Sequence, residues 1–226
     1  MTSGIEFNRI IGYPTFVFAE SAESKELAMK HIARKSVLVL LAVATVAATL
    51  SLAAGQAAAP KASPPVLVTS CGQSQGPAML NVILKRVGIV YEIMPLATPQ
   101  DLKAKGCKTL IVTMGASLKG MGAAGISIDD ELKRIADVID AAKKAKITVI
   151  GAHIEGMKRR AQGADAGDTT DEQSIDAVAP KCDILLVIKE GNSDGRFSAI
   201  STGKKIPLIE AEKNMDLVKE LEKLLK

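Results

Sequence analysis

The sequence predicts an α/β fold: a single Rossmann-like or flavodoxin-like three-layer domain with a mainly parallel sheet of five to six strands. Three observations carry this. Short apolar runs alternate along the chain with longer stretches whose apolar residues recur at helical spacing. The runs are apolar at successive residues rather than at every second one, the pattern of strands buried on both faces. Glycine-rich loops follow several of the runs, at the edge where parallel sheets hold ligands.

Residues 1–28 carry Glu20, Glu23 and Glu26 ahead of a basic stretch, so Met29 is read as the true start and the preceding segment as a disordered, over-extended lead. Met29-Lys-His-Ile-Ala-Arg-Lys35, the apolar run Ser36 to Ala53 and the small residues Ala57-Ala-Ala59 follow the order of a bacterial secretory signal. The expectation is export to the periplasm or beyond, with residues 29–59 as the signal. Membrane contact is expected only through this segment, if it stays uncleaved. Residues 60–65 then form a linker, and 66–226 the domain.

Val66 to Thr69 is the first strand, and Ser70 to Gly76 the loop after it. Pro77 suits a first helical position, and Met79, Leu80, Ile83, Leu84 and Val87 form a stripe ending at Gly88. Ile89 to Met94 is the second strand. Thr98-Pro-Gln-Asp101 starts a short helix that Gly106 ends, and Lys108 to Thr113 is the third strand. Thr113 to Gly125 holds Gly115, Gly120, Gly122 and Gly125, and reads as a loop too rich in glycine to pack as a core element. Ser127-Ile-Asp-Asp130 is a capping box, followed by Leu132, Ile135, Ala136, Ile139 and Ala142 at helical spacing. Ile147 to Ile150 is the fourth strand, and a polar loop runs from His153 to Asp168. Thr170-Asp-Glu-Gln173 is another capping box and opens a helix that stops before Pro180. Asp183 to Ile188 is the fifth strand. Glu190 to Gly195 leads into a short helix closed by Gly203, and Ile206 to Ile209 is the sixth strand. Asn214 caps a last helix carrying Leu217, Val218, Leu221, Leu224 and Leu225.

Charge and aromatic content exclude some functions. The chain has 29 Lys and Arg against 25 Asp and Glu, a balance too even for nucleic-acid binding. After Pro60 the aromatics are Tyr91 and Phe197, with no Trp, so platforms for stacking bases or sugars are poorly supplied. The expected partner is a small molecule, not nucleic acid.

Four loop motifs stand out together: Thr69-Ser-Cys-Gly-Gln-Ser74, Gly115 to Gly125, Gly151-Ala-His-Ile-Glu-Gly156 with Arg159-Arg160, and Val187 to Gly195. With them the mature chain resembles a family of secreted bacterial domains of unknown function. The resemblance implies export and a Rossmann-like α/β fold, and it implies no catalytic residue.

The loops supply the candidate site. Amides of the turns after the first and third strands can converge on one point, near the positive end of the helix that starts by Ser127. Ser70, Gln73, Ser74, Gly115 and Ser117 offer neutral donors, Lys119, Arg159 and Arg160 offer charge, and His153, Asn192 and Asp194 complete the edge. A small polar anion is the ligand such a set would prefer. The alternative is a serine hydrolase. Gly72-Gln-Ser-Gln-Gly76 matches a nucleophile elbow between a strand and a helix, with Ser74 as nucleophile, His153 as base, and Glu155 or Asp194 as the acid. The order of those residues departs from the usual one, and the bland reading is a tight ligand-binding turn.

No cofactor or metal is expected. Gly120-Met-Gly-Ala-Ala-Gly125 matches the dinucleotide pattern but starts too far past its strand, and Met121-Gly122 replaces the Lys-Ser/Thr of a P-loop. His153 has no partner at ligand spacing, and Asp165, Asp168, Asp171 and Glu172 read as solvated loop and helix-start acids. Cys71 lies at the ligand edge, with Cys107 and Cys182 at the opposite one. A five-residue strand spans about 17 Å, so Cys71 can pair with neither. Cys107 and Cys182 could pair only if the third and fifth strands were neighbours, so three free thiols are expected.

Overall fold

In the computed structural model, residues 61–160 and 169–226 are described; the expected signal segment, the over-extended start and the acids Asp165 and Asp168 lie outside them. Six parallel strands form the sheet: β1 (Val66–Cys71), β2 (Tyr91–Ile93), β3 (Thr109–Met114), β4 (Thr148–His153), β5 (Ile184–Ile188) and β6 (Leu208–Ala211), in the order β2-β1-β3-β4-β5-β6. This is the flavodoxin-like order with one strand added at the far edge. β1, β3 and β5 are buried at every residue, as their unbroken apolar runs require.

Between the strands run α1 (Gly76–Val87), α2 (Pro99–Ala104), α3 (Leu118–Ala124), α4 (Ile128–Lys144), α5 (Thr170–Val178), α6 (Arg196–Lys204) and α7 (Leu217–Leu225). Helices α1 and α7 cover one face of the sheet through Leu80, Ile83, Leu84, Leu217 and Leu221. Helices α2, α4, α5 and α6 cover the other through Leu102, Ile135, Ile139, Ile175, Val178 and Phe197. Each large aliphatic side chain buried this way stabilises the fold by about 1.5–3 kcal/mol. The Ser127 capping box forms as its spacing predicts, with Asp130 N–H bonded to Ser127 Oγ at 3.1 Å and Ser127 N–H to Asp130 Oδ2 at 3.2 Å.

Several expectations need correction. Asn214 does not cap α7, which Asp216 precedes, and the cap of α5 is Thr169, whose Oγ1 accepts the Glu172 N–H at 3.3 Å, not Thr170. The stretch after β3 is not all loop: Ser117 caps α3, its Oγ accepting the Gly120 N–H, and Gly125 ends it at φ +67°. The glycines let this helix lie against the β1 loop, since a Cβ on Gly120 would stand 2.0 Å from the Gln73 carbonyl oxygen. β4 also runs on to His153, so that residue ends a strand instead of opening a loop. Cys71, Cys107 and Cys182 are all free and buried, and β4 separates β3 from β5.

Candidate functional site

The strand order reverses direction between β1 and β3. The connection after β1 rises to α1 on one face and the connection after β3 passes to α4 on the other, which makes their carboxyl ends the switch point where open parallel sheets hold ligands. Gly72 and Gln73, at φ +104° and +54°, turn the chain out of β1. Gly115, at φ +146°, turns it out of β3, and the two loops are laced together by the Ser117 N–H to Gly72 O bond at 2.7 Å and a bridge between Gln73 and Ala116.

The expected row of open amides is absent because internal side chains hold them. The Gly72 N–H bonds Glu131 Oε1 on α4 at 2.8 Å, and the same oxygen takes Gln73 Nε2 at 2.8 Å. Gly115 N–H bonds Ser174 Oγ at 2.9 Å and Ala116 N–H bonds Asp171 Oδ1 at 2.6 Å, both from α5. Glu131 is itself buried and paired with Arg134, whose guanidinium also reaches the carbonyls of Ser70 and Ala97. A carboxylate of the protein therefore stands where an anion was expected on the α4 side of the switch point.

Several sequence-predicted residues belong to packing instead. Ser70 lies inside β1, fully buried, and its Oγ has no hydrogen-bond partner among the described residues. Arg160 is buried in an ion-pair knot, bonding Glu172 Oε1 at 2.7 Å and Asp194 Oδ2, while Arg196 bonds Glu172 and Asp176. The Arg160 guanidinium also lies 5.5 Å from the centre of the Phe197 ring. Asn192 caps α6 by accepting the Phe197 N–H at 2.8 Å, and its amide donates to Glu210 and Ser198. Ser117 is the α3 cap described above. Lys119 is exposed on α3, with no ion pair among the described residues.

His153 is buried, with Nδ1 3.0 Å from the Met114 carbonyl oxygen and Nε2 3.1 Å from that of Gly156. Burial pushes its pKa below the ordinary value, the two carbonyls pulling the other way. Both ring nitrogens face carbonyls, so neither is left to take a proton from Ser74. The ring packs on Phe197, centroids 5.1 Å apart. Cys71 is no nucleophile either: burial pushes its thiol up to about 12.

What the structure does bring together lies around Gly115. A Cβ built there would stand 3.1 Å from Cβ and Cγ of Arg159 and 3.5 Å from Ser74 Oγ, so the Arg159 stem and the Ser74 hydroxyl flank the β3 turn. Arg159 reaches the Ala116 carbonyl at 2.8 Å and Glu155 Oε2 at 3.1 Å. On the far side of the same Ala116 stands half-buried Asp171, its pKa raised chiefly by burial. Glu155 and Asp171 are the members that sequence reasoning passed over for this role. Asp171 sits in a helix first turn, where an acid needs no further explanation.

A family model described as a domain of unknown function (DUF6305) matches residues 63–225. The chain belongs to this family. No curated protein matches it in sequence. Among solved structures, the DUF6305 chain is similar to a GDSL-like lipase from Bacteroides thetaiotaomicron, at 17% identity over 72% of this chain and 75% of that one, with a TM-score of 0.32. It is also similar to an SGNH-hydrolase family esterase, at 12% identity over 72% of this chain and 84% of that one, with a TM-score of 0.28. At such scores these likenesses carry no argument about residues or chemistry.

Proposed function

We propose that this protein is exported and that its domain binds a small polar molecule bearing an anionic group, at the carboxyl ends of β1, β3 and β4. The observation that carries the binding reading is the approach of Ser74 Oγ and the Arg159 stem to Gly115, at the point where the strand order reverses. The first turn of α1 begins beside Ser74. Its Gly76 N–H is held by Ser74 Oγ at 3.5 Å and Pro77 has no N–H, but the turn carries no acidic residue, so the positive dipole end favours an anion there. No base stands within hydrogen-bond distance of Ser74 among the described residues, which favours binding over hydrolysis. Export is supported by the basic, apolar and small-residue regions in order ahead of Pro60.

Binding is tested by calorimetry of the protein against small carboxylates and organic phosphates. Ser74→Ala should weaken the hits about tenfold, the loss of one hydrogen bond to a charged group. Unchanged affinity in that variant would remove the strand-end site. Export is tested by the amino terminus of protein from the native host, expected near Pro60; only full-length cytoplasmic protein would overturn it.

A further inference from the structure

We infer that the strand-end site at Gly115 takes a zwitterion, a small molecule with a carboxylate at one end and a protonated amine at the other, of the α-amino acid type. The inference rests on the strand-end site proposed above and names its ligand class. The anionic end belongs to Ser74, the first turn of α1 and the outer part of Arg159. The amine end belongs to Glu155 and Asp171.

Glu155 carries the argument. Its side chain is 8% exposed, and Oε2 is paired with Arg159 at 3.1 Å, yet Oε1 is buried with no hydrogen-bond partner among the described residues. A buried carboxylate oxygen without a donor is unfavourable, and folds keep few of them. A ligand N–H⁺ supplies the missing donor. Asp171 adds a second acceptor. Its Oδ1 takes the Ala116 N–H, and its other oxygen makes no hydrogen bond among the described residues.

Charge points the same way. Arg159 is the cation both carboxylates feel, and one guanidinium offsets one of the two. The Glu155–Asp171 side therefore keeps an excess of negative charge, which raises the cost of an anion and lowers that of an ammonium. The α1 side has the opposite balance, a helix start without acids. Arg159 bonds Glu155 Oε2 and Ala116 O while its stem lies with Ser74 Oγ by Gly115, so a short molecule with charges at its two ends can meet both sets of groups.

The test titrates the full chain with the standard α-amino acids and then, for the tightest, with its 2-hydroxy acid and its amino alcohol. The amino acid should bind at least about tenfold more tightly than either analogue. Glu155→Gln, isosteric and checked for folding by its amide NMR spectrum, should remove the preference for the amino acid over its hydroxy acid. Asp171→Asn should reduce the same preference from the other carboxylate. Equal binding of amino and hydroxy acids, or a preference that survives both variants, overturns the zwitterion and leaves the polar-ligand site standing. If no amino acid binds while carboxylates do, the inference fails alone. If neither class binds, or Ser74→Ala changes nothing, the site itself falls and the inference with it.

Discussion

Glu131 and Glu155 are both carboxylates buried at the carboxyl edge of the sheet, and the fold treats them in opposite ways. Both oxygens of Glu131 are taken. Oε1 holds the Gly72 amide, the Gln73 side chain and Arg134, while Oε2 holds Arg134 again. Glu155 has one oxygen paired and one left without a donor among the described residues. The first arrangement ties a strand end to a helix and leaves nothing for a ligand. The second keeps an acceptor in reserve, as binding sites do at the expense of stability. The carboxyl edge thus divides into a closed half, over β1 and α4, and an open half around Gly115.

The largest effect that would test this division is on the closed half. Glu131→Ala removes the counter-charge of Arg134 and strands the Gly72 amide, and should cost about 3–5 kcal/mol in chemical denaturation. A loss below about 1 kcal/mol would mean that the closed half is not closed.

A second measurement uses pH. His153 has its pKa lowered in the fold by burial, from an ordinary 6.5, so the unfolded chain binds its proton first. Its contribution to stability is then present above about pH 6.5 and is lost as pH falls through the folded pKa, with a slope of at most about 1.4 kcal/mol per pH unit. The slope should vanish in His153→Gln. A melting profile of the same slope in the variant would show that other groups carry the pH dependence.

The open half should answer in the opposite sense. Asp171 has a pKa raised by burial, so its contribution to stability is present below the ordinary carboxylate range and is lost as pH rises through the folded pKa. At neutral pH its charge is a net liability. Asp171→Asn and Glu155→Gln should therefore leave the unliganded melting temperature unchanged or raise it, by up to about 1 kcal/mol of stability. A marked loss in either variant would make that carboxylate structural and erase the contrast with Glu131. The smallest effect is expected at exposed Lys119, where Lys119→Ala should stay within about 0.5 kcal/mol of the parent protein.

Local pattern was enough for much of this molecule. The alternation of apolar runs with helical stripes specified six strands, the helices between them and the capping boxes at Thr98 and Ser127, because each depends on residues within a few positions of one another. It also placed Ser74, Gly115 and Arg159 at strand ends, where the fold brings them together. Glycine content misled at Leu118 to Ala124, since Gly120 is there for close approach to Gln73 inside a helix.

Partner choice across the chain was left to the tertiary structure. Glu131, Asp171 and Ser174 sit in or near helix first turns, where local chemistry already accounts for an acid or a hydroxyl. Yet their side chains hold the amides of Gly72, Ala116 and Gly115, 59, 55 and 59 residues away. The same holds for Arg160, read from the sequence as a charge for the ligand and cancelled in the fold by Glu172 and Asp194. A hydrogen-bond donor is open or occupied according to what the packed helices carry to it. Periodicity encodes which face a helix buries, not which distant amide its first turn meets.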